Sequence, residues 1–165
     1  MDDSLNFQER SVLELLKTQL ATLETSATKL DDKAQQNISV SSVIVALVSA
    51  LQLRPEDELP IGTVSTIFII LIFIVYAAVF LLSYWARLPR DVVGPPLNPD
   101  KATIKEWLGR SDSQYYSGLV NSYVDAIASH AQAVREKARL VRVATFLIGV
   151  DVLLIFLGVL VQAVS

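Results

Sequence analysis

VATFLIGVDVLLIFLGVLVQAV, residues 143–164, reads as a membrane span with a single acid inside it. A bilayer core takes about 20 helical residues, and hydrocarbon accepts apolar side chains on an internally hydrogen-bonded backbone. Asp151 interrupts that pattern about nine residues in, roughly 14 Å along at helical rise, close to mid-depth. Helical spacing puts Ala144, Ile148, Asp151, Ile155, Gly158 and Gln162 on one stripe. This small and polar face belongs against protein or water rather than lipid.

Two more apolar runs lie upstream. IGTVSTIFIILIFIVYAAVFLLSYW, residues 61–85, is a span by length and composition. ISVSSVIVALVSALQL, residues 38–53, is short, and reaches spanning length when extended back to Ala34. The 165 residues are 52% hydrophobic yet 19% charged, and the charges leave these runs almost free. That segregation marks an integral membrane protein. The start MDDSLNFQER is acidic, without a basic-then-apolar run, and reads as lacking a cleavable signal peptide.

Lysine and arginine set the expected direction. The loop RPEDELP pits Arg54 against Glu56, Asp57 and Glu58, whereas Lys29, Lys33, Arg87, Arg90, Arg135, Lys137, Arg139 and Arg142 lie on the other side. The N-terminus and residues 87–142 are therefore expected in the cytoplasm, and the C-terminus outside, in a multi-pass topology.

The helices are expected to continue beyond the bilayer. Leu13, Leu16, Leu20, Leu23, Ala27, Leu30 and Ala34 alternate steps of three and four, a heptad seam. Neither proline nor glycine occurs from Met1 to Leu53, so one helix from about Asn6 to Leu53 is expected. Tyr116, Leu119, Tyr123, Ile127, Val134, Ala138 and Val141 keep helical spacing into the last span, after Ser111 or Asp112 as N-cap. Between them, Asn98-Pro99 opens and Gly109 closes an expected short amphipathic helix of about 99–108.

The reading is an all-α integral membrane protein with three transmembrane helices, two of which extend as a cytoplasmic stalk. Its segments are a stalk helix 1–33, spans 34–53, 61–86 and 143–164, an acidic outer loop 54–60, a linker 87–111 and a second stalk helix 112–142.

Several residues are candidates for function. Asp151, Gln162, Ser42 and Ser49 are the intramembrane polar or pore-lining set. Asp151 either lines a water path or, as a protonated acid, bonds a serine of the first span or its copy in a neighbouring subunit. Ser39, Ser42, Ala46 and Ser49 form a small stripe that lines water or permits close packing. Leu13, Leu16, Leu20, Leu23 and Leu30 are the expected oligomer seam. Arg135, Lys137, Arg139 and Arg142 are candidate contacts to phosphate or lipid headgroups, or else only set topology. His130 sits at the edge of the stalk face and reads as a packing residue. With no cysteine and one histidine, thiolate chemistry and multi-histidine metal sites are excluded. No catalytic constellation or phosphate loop is present, so a non-enzyme without cofactor or metal is expected, and no nucleic-acid partner.

KLDDKAQQNISVSSVIVALVSAL, residues 29–51, resembles the approach to the first span in bacterial Pycsar transmembrane effectors and related SLATT-type modules of nucleotide-signalled antiphage defence. Asp32, Lys33 and Ala34 stand at that family's Asp-Lys-Ala-like step. YSGLVNSYVDAIASHAQAVREKARLVRVATFLIGVDVLLIFLGVLV, residues 116–161, is similar to its last stalk helix and final span, with Tyr123, Lys137 and Ala138 at family-like positions. The resemblance implies a homo-oligomer in membrane lipid that permeabilises the inner membrane when a cyclic nucleotide or partner protein activates it. An accessory or assembly subunit of a larger membrane complex, or a small ion or proton channel, fits the same spans.

Overall fold

The computed structural model describes residues 7–52, 63–92 and 112–164. They form three α-helices: α1, Phe7–Gln52; α2, Thr63–Arg87; and α3, Asp112–Val164. The expected short helix at 99–108, the outer loop 54–60 and the capping role of Ser111 lie outside the described residues.

The helices run where nothing in the sequence stops them. α1 spans 46 residues without proline or glycine. Its many hydroxyls do not fray it, because Thr18, Thr22, Thr25, Ser26 and Thr28 each donate to the carbonyl four residues back at 2.8–3.1 Å. α2 stops at Arg87, before Pro89, which cannot continue an α-helix, and the Leu88 N–H donates to the Trp85 carbonyl at 3.4 Å. α3 runs 53 residues unbroken through both the expected stalk helix and the last apolar run.

Contacts divide the chain into two units. The first comprises Met1–Thr28 and Pro89–Arg135, the second Lys29–Leu88 and Glu136–Ser165. Within the first, Leu20 and Ala126 are buried, with Leu13, Leu16 and Leu23 on α1 and Tyr116, Leu119, Tyr123, Ile127 and Val134 on α3 partly shielded. The residues at helical spacing are thus the ones turned inward. Much of the leucine seam is covered by the chain itself, which leaves Val12 and Leu15 as the open apolar side chains of that stretch.

The second unit is a three-helix arrangement with one inward line on each helix. On α1 it is Ala34, Asn37, Ser41, Ile44 and Val48; on α2, Ile72, Val79, Ser83 and Ala86; on α3, Lys137, Val141, Ala144 and Asp151. Steps of three, four and seven are those of helices crossing at a shallow angle. Ala34, Ala86 and Val141 pack together, flanked by Leu30 and Leu140. Small side chains at that point let three backbones approach closely.

Outward, the same helices are apolar. Val43 and Leu47 on α1, Ile74, Leu81 and Trp85 on α2, and Phe146, Leu153 and Phe156 on α3 are all more than half exposed. Tyr76, Phe80 and Tyr84 line one edge of α2, the last two rings stacked at 6.4 Å. Among the described residues two helices are long and apolar enough to cross a membrane, within Thr66–Arg87 and Gln114–Val161. The apolar end of α1 is not one of the two.

Candidate functional site

The inward lines of the second unit carry polar groups as well as apolar ones, set out in tiers. In the first tier Lys137 Nζ donates to both Asp31 oxygens, at 2.8 and 3.0 Å. The lysine side chain is 10% exposed and the aspartate 36%. Charge-assisted geometry of this kind is what keeps an ammonium group inside a helix contact. Beside it Arg87 on α2 donates to the Gln35 side chain on α1.

The second tier is neutral. Asn37 Nδ2 donates to Thr145 Oγ1 at 3.1 Å, and Thr145 Oγ1 donates in turn to the Val141 carbonyl at 2.9 Å. Nδ2 also approaches that carbonyl at 3.4 Å. A bond network joining α1 to α3 is worth about 1 kcal/mol per bond, more where a partner would otherwise be left bare. Above it, Ser41 is fully buried and donates to the Asn37 carbonyl at 2.9 Å. Ser83 on α2 is fully buried too, and its hydroxyl has no partner among the described residues.

The last tier is Asp151. It has no exposed surface, and neither carboxyl oxygen has a hydrogen-bond partner among the described residues. The register explains why. The bonded α1–α3 pairs lie 106 and 108 positions apart, so the two helices run parallel, and the same offset sets Asp151 beside Ile44. On antiparallel α2, Phe68 meets Gly158, two turns beyond Asp151. That places Val75 at the level of Asp151, between buried Ile72 and Val79. By this register Ile44 on α1 and Val75 on α2 lie at the level of Asp151, and Ser41, the buried serine of α1, stands about one turn below Ile44.

A family model, the Pycsar effector protein domain, matches residues 15–164. The chain belongs to that family. The Pycsar match takes in α1 from residue 15 onward and the whole of α2 and α3, and it makes the chain an effector domain of antiphage defence bearing helices of membrane-spanning type. No curated protein and no solved structure matches it.

In this Pycsar effector domain the candidates read from the sequence fall into different places. Asp151 faces into its own bundle, without a bond to any serine of α1. Ser42 is exposed and donates to the Ile38 carbonyl at 2.8 Å, and Ser49 is partly shielded. The inward serine of α1 is Ser41, which the stripe Ser39–Ser42–Ala46–Ser49 passed over. Gln162 lies in the last turn of α3, and its side chain is outside the described ones. Of the basic cluster, Lys137 is drawn inward onto Asp31, whereas Arg135, Arg139 and Arg142 are exposed. His130 is partly shielded, in the first unit.

Asn37, Thr145, Ser41, Ser83 and the Asp31 partner were missed. One signal could have found the α1 members. The leucine seam continues without a break of register through Ala34, Asn37, Ser41, Ile44 and Val48.

Proposed function

We propose that this chain is an oligomeric inner-membrane effector that permeabilises or depolarises the membrane once antiphage signalling activates it. Three spans, 34–53, 61–86 and 143–164, carry it across the bilayer, with the N-terminus and residues 87–142 in the cytoplasm. The activator is a phage-triggered cyclic nucleotide or a partner protein, and the effector acts without catalysis.

The observation that carries this reading is the Pycsar effector match over residues 15–164 of a chain whose helices present broad apolar faces. Support comes from the cost of Asp151: an acid without partners at mid-span is retained where it serves transport or gating. Three spans are too few to enclose a wide aqueous path, so several copies are required for leakage. Their contact falls on outward faces such as Val43 and Leu47 on α1, since the leucine seam is partly occupied within one chain.

Leakage of dye and potential from vesicles reconstituted with wild type or Asp151→Leu, with and without a panel of cyclic nucleotides, tests the reading. Nucleotide-dependent leakage that Asp151→Leu alters is the expected result. Vesicles that stay tight with every nucleotide and with cell extract from infected bacteria would overturn it in favour of an accessory subunit.

A further inference from the structure

The outward side of α3 changes character within a few residues. Arg139, Arg142, Val143 and Phe146 fall within about 100° of one another around the helix, opposite the inward line of Lys137, Val141 and Ala144. Both arginines are exposed, and neither is tied to another described residue, whereas Arg87 bonds Gln35 and Lys137 bonds Asp31. Val143 is 43% exposed and Phe146 71%, and Leu153 continues the same side at 56%. An exposed cationic pair thus stands directly against the end of an exposed apolar stripe.

The other helices of the second unit change at the same level. The α1–α3 ties set Lys33 level with residues 139–141, and the Arg87–Gln35 bond sets Arg87 near the level of Arg142. Lys33 and Arg87 are exposed. Beyond them lie exposed Val40 and Val43 on α1, and exposed Leu81, Tyr84 and Trp85 on α2. Asp32 and Glu136, in the adjoining turns, offset part of this charge and leave a cationic surplus. No acid occurs on the three helices between that level and Asp151.

We infer that Arg139 and Arg142 form a binding site for the phosphate headgroup of an anionic phospholipid, whose acyl chains lie along Val143, Phe146 and Leu153. Side chains three apart on a helix are neighbours, about 5–6 Å apart at Cβ. Two guanidinium forks so spaced hold one phosphate from two sides, each offering paired N–H donors to its oxygens. A free phosphate compound fits less well, because it leaves the adjoining valine and phenylalanine bare. A phospholipid covers the charge and the apolar surface with one molecule. Each basic side chain near an anionic surface strengthens binding about fivefold, so the pair should favour an anionic over a zwitterionic headgroup roughly 25-fold. Lipid held there fixes the depth of α3 in the leaflet.

The inference rests on the spanning reading of α3 and not on permeabilisation, so tight vesicles leave it standing. It is tested by native mass spectrometry of the full chain in a neutral detergent, titrated with phosphatidylglycerol or with phosphatidylcholine of the same acyl chains. Phosphatidylglycerol is expected to bind roughly 10- to 30-fold more tightly. Arg139→Gln with Arg142→Gln should remove most of that preference, with helix content by circular dichroism unchanged. Lys17→Gln with Lys29→Gln, which takes equal charge from other exposed positions, should keep it. Soluble glycerophosphoglycerol, the headgroup without its chains, should not displace the lipid even in large molar excess. Equal binding of the two lipids would overturn the headgroup site and leave the span standing. The same loss in both double variants, or displacement by the free headgroup, would overturn it too. A chain that retains neither lipid would remove the span along with the site.

Discussion

Removing either partner of the Asp31–Lys137 pair should destabilise the bundle, but unequally, because the two charges are left in different surroundings. Asp31→Ala strands the Lys137 ammonium, whose side chain is only 10% exposed. An uncompensated buried charge costs about 3–5 kcal/mol, and a lysine stem that bends toward water lowers this to about 2–3 kcal/mol. Lys137→Met keeps the apolar stem and leaves Asp31, at 36% exposure, to be hydrated. That loss is about 1 kcal/mol, close to an exposed pair. At about 2–4 °C per kcal/mol for a chain of this size, Asp31→Ala should lower the melting midpoint by roughly 5–10 °C and Lys137→Met by about 2–4 °C. The double variant should fall near Lys137→Met alone, since no charge remains to be stranded. Circular-dichroism melts in one detergent, at one protein concentration, read all three. A Lys137→Met loss equal to or larger than that of Asp31→Ala would refute the burial asymmetry on which the estimate rests.

Other outcomes follow from single contacts. Asn37→Leu, which gives up its bonds to Thr145 and Val141, should cost about 1–2 kcal/mol in the same melts; Asn37→Asp, which cannot donate, should do no better. Ala86→Leu should cost about 1–3 kcal/mol by overpacking the contact of Ala34, Ala86 and Val141, while leaving helix content unchanged. Gly149→Ala meets nothing within 4 Å and Gly158→Ala only ordinary contact with Phe68, so each should be neutral or raise the midpoint. A fall of more than 3 °C in either would show that the backbone approach at that glycine is closer than described. Arg139→Gln with Arg142→Gln, both exposed and outside the polar tiers, should leave the melt within about 0.5 kcal/mol of wild type.

The long helices were legible because the physics that makes them is local. An unbroken stretch of 46 residues without proline or glycine admits little else, and every described residue from Phe7 to Gln52 is helical. The stripe containing Asp151 was legible for the same reason: Ala144 and Asp151 are both buried, as a small and polar face requires. Which serine of α1 turns inward was not. Ser41 and Ser42 are adjacent, one helical step of about 100° apart, and small residues occur on both faces. Hydropathy does not choose between them, and only the partner helix does. The seam reading met a similar limit, since a heptad pattern specifies a helical partner without saying whether it comes from another copy or from residues a hundred positions away in the same chain. Lys137 belonged to a basic cluster by sequence and to the interior by contact, because Asp31 lies on a different helix.

The ties between the helices of the second unit are unevenly distributed along its length. Ion pair, amide and guanidinium contacts gather at the Asp31 end, and beyond Asp151 Phe68 packs over Gly158. Within lipid, tails solvate an apolar helix face about as well as another helix does, so packing alone gives a weak hold. A bundle of this kind is held more firmly where its polar ties gather. Across the spans proposed above, strain in the leaflet around the tied end would change helix spacing less than the same strain around the other. For a bundle that spans the bilayer as proposed, thickness and tension would then become inputs, with a sign set by which leaflet carries them.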